Sequence, residues 1–149
     1  NMNEQLDISA FEFFKLFAKY ESYLKEKGYF EVSRRGQINV QWDRFANQVI
    51  GRDFLEELGE NSRSALYVLE NPPKQQGVNE EGKIIWKNVP NNERSVQILF
   101  GHICRVRNNL YHGAKYNGTW FDPQRSLNLL ESSLVVLKAF EYHLQEERV

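Results

Sequence analysis

Apolar residues recur at helical spacing in three long segments of the chain. The first segment runs from about Ile8 to Lys27, the second ends near Gly113, and the third follows Pro123. Within each segment the apolar residues return every three or four positions, which is the spacing of one face of an α-helix. The three faces consist of Ala10, Phe13, Phe14, Phe17, Tyr20 and Leu24; of Val96, Leu99, Phe100, Ile103, Val106 and Leu110; and of Leu127, Leu130, Leu134 and Leu137. The pattern predicts a helical bundle whose core is built by three long helices.

Short polar residues and proline mark where these helices begin. Asp7 or Ser9 is expected to cap the first helix, and Asn92 is expected to cap the penultimate one, because their side-chain oxygens accept hydrogen bonds from free backbone N–H groups. Asp122 is followed directly by Pro123. That order favours the start of the last helix, since proline at the first helical position needs no N–H donor.

The middle of the chain is less regular. The stretch Arg34-Arg35-Gly36 is interpreted as a polar connection after the first helix, and apolar segments between Trp42 and Leu69 predict further short helices. Pro72-Pro73 ends the last of these, because proline lacks an N–H donor. Apolar residues then flank Glu80-Glu81-Gly82, which predicts a small hairpin. The expected fold class is all-α: one helical domain over residues 1–149, with about four to five helices and a small irregular or hairpin insertion.

Composition narrows the class of protein. The chain has 149 residues, of which 41% are hydrophobic and 13% aromatic, and this is enough to build a sizeable core. The formal net charge of −1 argues against a protein coated with nucleic acid, because non-specific affinity grows with the number of phosphates neutralised. A small local basic site remains compatible with that charge.

Cysteine and histidine usage bears on compartment and cofactors. Cys104 is the only cysteine, so no internal disulfide can form and a reducing cytoplasm is expected. The three histidines lack the spacing of zinc ligands, so we expect neither a metal nor another cofactor. The polar N-terminus is unlike a signal peptide, and no apolar run approaches the length of a membrane span. We therefore expect a cytoplasmic protein that does not enter a membrane.

One charged residue lies on the apolar face of each of two long helices. Arg107 falls near the middle of the apolar face of the penultimate helix, where an unpaired charge is unfavourable. Glu21 falls between Phe14 and Phe17 on the first helix. The simplest hypothesis is that Glu21 and Arg107 form a buried or half-buried ion pair.

His112 points in another direction on the same helix. On an ideal helix it lies about 140° from Arg107 and lines up with Arg105 and Asn109. One helix therefore cannot easily direct Arg107 and His112 at a single phosphate. Two copies of the chain, related by a two-fold axis, could bring both residue types into a shared groove.

The residue types suit cleavage of RNA without a metal. His112 can donate or accept a proton near pH 7, and Arg107 can bind two oxygens of a charged phosphate at once. Asn108 could orient the phosphate or the histidine. The structural alternative makes Arg107 a core ion pair and His112 a helix cap. From spacing alone this alternative is favoured, because an arginine five residues before a histidine is common by chance.

A family resemblance favours the catalytic interpretation of Arg107 and His112 over the structural one. The string Arg107-Asn108-Asn109-Leu110-Tyr111-His112-Gly113 resembles the Arg-x4–6-His motif of HEPN domains, including the polar residue that often follows the arginine. The segment Leu16-Phe17-Ala18-Lys19-Tyr20-Glu21 is similar to the opening helix of bacterial HEPN-like proteins. The resemblance implies an all-α bundle that dimerises with its motifs facing one another. Many members are metal-independent ribonucleases of toxin–antitoxin, abortive-infection and CRISPR systems.

The resemblance also implies roles for individual residues. Arg107 and His112 would be the catalytic pair, Asn108 the supporting polar residue, and Glu21 an orienting acid on the facing helix. Arg105 also stands within the spacing range of the motif, and Arg107 is preferred because a polar residue follows it. The neighbouring Asn109 is a further supporting candidate.

The same resemblance sets the expected partners: RNA, a second copy of the chain, and an antitoxin or a nucleotidyltransferase-type partner. One departure concerns the last of these. Ala114 stands where some toxin members carry a tyrosine that a nucleotidyltransferase modifies. Other members keep the fold but have lost activity, so a non-catalytic binding or assembly module is the alternative function. A purely structural bundle is the third.

Overall fold

The computed structural model describes residues 1–90, 93–111, 115–116, 119–120 and 122–145. This part of the chain is mostly helical, as the periodicity predicts. Its α-helices are α1 (Met2–Glu26), α2 (Trp42–Phe45), α3 (Phe54–Leu58), α4 (Ser62–Glu70), α5 (Val96–Tyr111) and α6 (Pro123–Phe140). A π-helical turn over Ala46–Ile50 continues α2, and 3-10 turns cover Gly59–Asn61 and Glu141–Leu144.

The fold is not purely α, because the described residues also form three two-stranded antiparallel sheets. Their strands are β1 (Phe30–Val32) with β2 (Ile38–Val40), β3 (Gln75–Val78) with β4 (Ile84–Lys87), and β5 (Lys115–Tyr116) with β6 (Thr119–Trp120). The predicted hairpin in the middle of the chain is confirmed, with Val78 opposite Ile84. The all-α class is therefore too narrow.

The connection predicted through Arg34-Arg35-Gly36 is instead the turn of a hairpin. The backbone N–H of Gly36 donates to the carbonyl of Ser33 at 2.9 Å, and the Ser33 hydroxyl accepts from the backbone N–H of Gln37 at 3.1 Å. Gly36 has a φ of +79°, which glycine adopts without steric cost. The turn thus closes the β1–β2 pair.

Helix α1 starts earlier than predicted. Asn1 caps it, because its side-chain oxygen accepts a hydrogen bond from the backbone N–H of Glu4 at 3.0 Å. The predicted caps, Asp7 and Ser9, lie inside the helix, where Ser9 is buried and Asp7 is exposed. The added segment contributes Leu6 to the core, whereas residues 2–5 are exposed.

The predicted starts of α5 and α6 agree with the structure more closely than the side chains predicted to cap them. Ser95 caps α5, since its hydroxyl accepts from the backbone N–H of Ile98 at 3.1 Å. The predicted cap, Asn92, lies outside the described residues. Helix α6 begins at Pro123 directly after Asp122, as predicted. The Asp122 side chain makes no capping hydrogen bond within the described part of the chain, and its φ of 43° is left-handed.

Aromatic rings join the helices at one end of the bundle. The ring centroids are 4.8 Å apart for Phe17 and Trp42, 5.9 Å for Trp42 and Phe100, and 5.9 Å for Phe100 and Phe140. Separations of this size are favourable for aromatic pairs. The hydroxyl of buried Tyr20 donates to the carbonyl of Leu137 and adds a hydrogen bond between α1 and α6.

Side-chain contacts between α1 and α6 establish that these two helices run parallel. Gln5 donates to Glu131 at 2.9 Å, and Lys138 bonds Glu12 at 3.3 Å, so both chains advance in the same direction. Helix α5 runs antiparallel to them, because its early residue Phe100 meets the end of α6. The end of α5, which carries the candidate motif, therefore lies beside the start of α6, away from the aromatic rings.

Candidate functional site

The first five residues of the candidate motif, Arg107 to Tyr111, form the last turns of α5. Arg107 and Asn109 are half-buried, and Asn108 is exposed. The Arg107 guanidinium donates from Nη1 to Oδ1 of Asn108 at 3.4 Å, which is a long hydrogen bond. His112 lies outside the described residues. The structure thus brings Arg107 and Asn108 together, and the pairing of Arg107 with His112 stays a prediction.

Glu21 and Arg107 lie around the same thiol. The pKa of Cys104 is raised to about 12, chiefly by burial and less by the negative charges of Glu21 and Asp43, while the positive charge of Arg107 opposes the rise. Glu21 and Arg107 are both half-buried, so each lies at the boundary between core and surface. The direct ion pair between them stays a prediction. Cys104 itself stays protonated near neutral pH and is a packing residue.

Arg105 belongs to another part of the surface. It lines a cavity of about 380 Å³ together with Asp43, Glu93 and His102. Its Nη1 atom is buried and has no hydrogen-bond partner among the described residues. Two residues on one helix separated by a single position point about 160° apart, which accounts for the divergence of Arg105 and Arg107. The structure therefore does not place these two arginines in one site.

His102 is a histidine that the sequence reasoning set aside for lack of metal-ligand spacing. It is only 5% exposed, and burial lowers its pKa to about 4, with a smaller contribution from the positive charge of Arg105. The imidazole is therefore neutral at pH 7. The available signal was the three-residue spacing from His102 to Arg105, which places both side chains on one helix face.

Asn109 holds the β3–β4 hairpin in place. Its Nδ2 donates to the backbone carbonyl of Lys74 at 2.7 Å. Arg125 of α6 holds the same segment two residues earlier, with Nη2 donating to the carbonyl of Pro72 at 2.8 Å. Both bonds attach the segment just before β3 to the helices of the motif. Asn109, predicted as a supporting residue of the site, thus has an observed structural role.

A cavity of about 220 Å³ opens between this hairpin, α5 and α6. Its lining is mostly apolar, and its polar side chains include Asn109, the cations Lys74 and Arg125, and the acid Asp122. Trp86 of β4 forms part of the wall. Pockets for drug-sized ligands measure about 300–1,000 Å³. This smaller cavity has room for a single ring system, next to the motif.

Neither a metal site nor a membrane-spanning helix is found among the described residues. Within them, no group of three or more His, Cys, Asp or Glu side chains is arranged to hold a metal ion. In the same part of the chain, no helix combines the length and the apolar character needed to cross a membrane. Comparison with known proteins found no match to the chain among protein-family models, curated proteins or solved structures.

Proposed function

We propose that this chain is a HEPN-like, metal-independent endoribonuclease that acts as a homodimer in the cytoplasm, in a toxin–antitoxin or phage-defence context. The observation that carries the proposal is the position of Arg107. Arg107 is half-buried at the last turns of α5, and its guanidinium lies against Asn108, the polar residue that often follows the arginine of the motif. An always-charged planar guanidinium held in this way can bind two oxygens of one phosphate.

The proposed chemistry is transfer of the phosphodiester to the neighbouring hydroxyl of the same nucleotide. A base removes the proton of the 2′-hydroxyl, the new bond from O2′ to phosphorus forms, and the bond from phosphorus to O5′ breaks. An acid then gives a proton to O5′, which leaves a 2′,3′-cyclic phosphate and a 5′-hydroxyl. His112 serves as one of these groups and the partner subunit's His112 as the other. Arg107 stabilises the negative charge that develops on the phosphorane.

The cavity beside the motif supports a single-stranded substrate. Lys74 and Arg125 supply two positive charges there against the one negative charge of Asp122, and Trp86 supplies an aromatic surface. Stacking of a base on an aromatic side chain contributes about 1–3 kcal/mol to binding of single strands. A base can reach such a cavity only when it is not stacked in a duplex. We therefore expect cleavage in loops or unpaired segments.

The alternative is a non-catalytic binding or assembly module. It is favoured by the bond from Asn109 to Lys74, because this motif residue has a structural use that needs no catalysis. In this alternative Arg107 and Asn108 would anchor an RNA or a protein without cleaving it. Loss of binding in an Arg107 variant would then occur without any change in RNA integrity.

The decisive experiment is incubation of the purified protein with single-stranded RNA in EDTA. His112→Ala is expected to lower the cleavage rate by about 10²–10⁴-fold, since it removes a proton-transfer group. Arg107→Ala is expected to cost about 10²–10³-fold, since it removes a donor to the developing charge. Arg63→Ala, an exposed arginine on α4, is the matched control and should cleave like the wild type.

Product analysis and folding controls complete the test. The expected products carry a 2′,3′-cyclic phosphate. Circular dichroism of each variant separates loss of chemistry from loss of fold, which matters most for the half-buried Arg107. If the wild type and both variants leave several RNAs equally intact, the nuclease proposal is refuted and the binding module is favoured.

A further inference from the structure

One side of α5 lines the cavity that contains Arg105, on the opposite side of the helix from Arg107. Ile98, Gly101, His102 and Arg105 all line it, and they lie on one helix face because they follow one another at intervals of three or four residues. The cavity measures about 380 Å³. Pockets that hold small organic ligands measure about 300–1,000 Å³. We call this space the Arg105 cavity.

The Arg105 guanidinium carries a hydrogen-bond donor that the protein leaves unsatisfied. Its Nη1 atom is buried and has no hydrogen-bond partner among the described residues. A buried donor without an acceptor is unfavourable, and more so on a charged group. Two acids, Asp43 and Glu93, line the same cavity, yet neither bonds to this atom. A ligand that brings an acceptor to Arg105 would therefore satisfy it.

Charges of opposite sign lie at different depths in the Arg105 cavity. Arg105 is half-buried, whereas Asp43 and Glu93 are exposed. The buried imidazole of His102 adds no charge near neutral pH, because its pKa is lowered to about 4, chiefly by burial. The Asp43 carboxylate is held by Gln97, whose Nε2 donates to Oδ2 at 3.2 Å. Positive charge thus lies on the protein side of the cavity and negative charge on the solvent side.

Gly101 keeps the floor of this cavity open. Glycine in the interior of a helix is less favourable than alanine. Packing does not explain it here, because a Cβ atom at Gly101 would meet no heavy atom within 4 Å. Gly101 is exposed and lies between Ile98 and Arg105 on the helix face that lines the cavity. The missing side chain therefore leaves space through which a ligand can reach Arg105.

The rest of the lining is aliphatic. Val89, Pro90 and Ile98 contribute apolar surface to the cavity, and no aromatic side chain lines it. Val89 and Ile98 are half-buried. An aliphatic chain that covers them removes apolar surface from water, which favours binding. The cavity thus offers three kinds of contact to one small molecule: a cation, acids and an apolar wall.

We propose that the Arg105 cavity binds a free α-amino acid with an aliphatic side chain. The carboxylate accepts hydrogen bonds from Arg105, the ammonium group lies between the carboxylates of Asp43 and Glu93, and the side chain packs against Val89 and Ile98. A simple anion would be repelled by the two acids, and a simple cation would leave Arg105 unsatisfied. A molecule that carries both charges avoids both penalties. The proposal goes beyond the nuclease function and does not rest on it.

The first test titrates the purified protein with L-leucine and two matched probes by isothermal titration calorimetry. Isocaproate keeps the carboxylate and side chain of leucine without the ammonium group, and isoamylamine keeps the ammonium group without the carboxylate. Leucine is expected to bind at least about ten-fold more tightly than either probe, because each probe loses one charged contact. Equal binding of leucine and isocaproate overturns the proposal.

The remaining amino acids and guanosine complete the set of ligands. Guanosine is included because arginine also recognises the edge of guanine. The proposal is overturned if no aliphatic amino acid binds at millimolar concentration. It is also overturned if guanosine binds and no amino acid does, since the cavity then takes a planar base.

The second test locates the ligand with variants. Arg105→Met keeps the length of the side chain without its charge and is expected to abolish leucine binding. Arg63→Met, at an exposed arginine of α4 outside the cavity, is the matched control and should bind like the wild type. Gly101→Leu fills the floor and is also expected to abolish binding. Its thermal stability should not fall, because leucine favours a helix more than glycine does.

Gly101→Leu keeps the test decisive even if Arg105→Met fails to fold. If Gly101→Leu binds leucine as the wild type does, the ligand lies elsewhere and the proposal is refuted. In NMR spectra of the wild type, leucine should shift the amide signal of Gly101 and leave that of Gly59, outside the cavity, unchanged. All these measurements are made without RNA, so their failure is distinct from failure of the nuclease proposal.

Discussion

The two ends of the bundle are stabilised by different kinds of interaction. At the aromatic end, stacked rings join α1, α2, α5 and α6; this end consists of Phe17, Trp42, Phe100 and Phe140. At the motif end, Asn109 and Arg125 bond the backbone before β3, and a cavity remains beside them. The packed rings leave no space between them, whereas the polar contacts at the motif end border a cavity that carries charge. The comparison predicts that substitutions at the aromatic end affect stability and that those at the motif end affect activity.

The largest expected effect is at the aromatic end. Phe100→Ala removes a fully buried ring that contacts Trp42, Phe45 and Phe140. We expect the free energy of unfolding to fall by about 3–5 kcal/mol, because the ring is lost and a cavity remains. Urea denaturation measures the change. Ile84→Ala, on the exposed side of β4, should stay within about 0.5 kcal/mol of the wild type. If Phe100→Ala lowers the free energy of unfolding by less than about 1 kcal/mol, the aromatic rings do not make the main contribution to stability at this end.

A smaller effect, dependent on pH, is expected in the middle of α5. The pKa of His102 is lowered from 6.5 to about 4 in the folded protein, chiefly by burial. Between these values the unfolded chain binds a proton that the folded chain does not. The contribution of neutral His102 to the free energy of unfolding is therefore fully present above about pH 6.5. It is lost as the pH falls to about 4, by about 3 kcal/mol in total.

Urea denaturation at pH 4.5 and pH 7.5 checks this dependence. His102→Gln removes the titrating group, so its loss of stability between the two pH values should be smaller than that of the wild type. Arg105→Gln removes the nearby positive charge and should reduce the dependence by a lesser amount. If the wild type and His102→Gln lose the same stability, the buried neutral state of His102 is wrong.

Local sequence patterns predicted the elements in which the spacing of apolar residues is repeated over many positions. The long helices α1, α5 and α6 each extend over several turns, so their periodicity is clear in the sequence. The β3–β4 hairpin was marked by apolar residues on both sides of Glu80-Glu81-Gly82. The β1–β2 hairpin was missed because three-residue strands are too short to show alternation. The cap of α1 was missed because Asn1 lies seven residues before the apolar segment from which the helix was predicted.

For the candidate site, the sequence predicted the directions of side chains that follow from the angle between residues on one helix. Arg107 and Glu21 were expected on the core-facing sides of their helices as a buried or half-buried ion pair; both are half-buried near Cys104, and the pair itself stays a prediction. Contacts between distant segments were not predictable in the same way. The partner of Asn109 is the backbone of Lys74, 35 residues earlier, and a backbone carbonyl leaves no signature in the sequence. The burial of His102 likewise follows from packing between elements.

The smallest expected effect distinguishes two neighbouring residues of the motif end. Asn109→Ala removes the bond to the Lys74 carbonyl and should lower the free energy of unfolding by about 0.5–1.5 kcal/mol. The amides of β3 should exchange with solvent faster, whereas those of α1 should change only with the global stability. Asn108→Ala is the control: Asn108 is exposed and contacts Arg107, so it should affect RNA cleavage more than stability. If both variants change hydrogen exchange in β3 equally, Asn109 is not the residue that attaches the hairpin to α5.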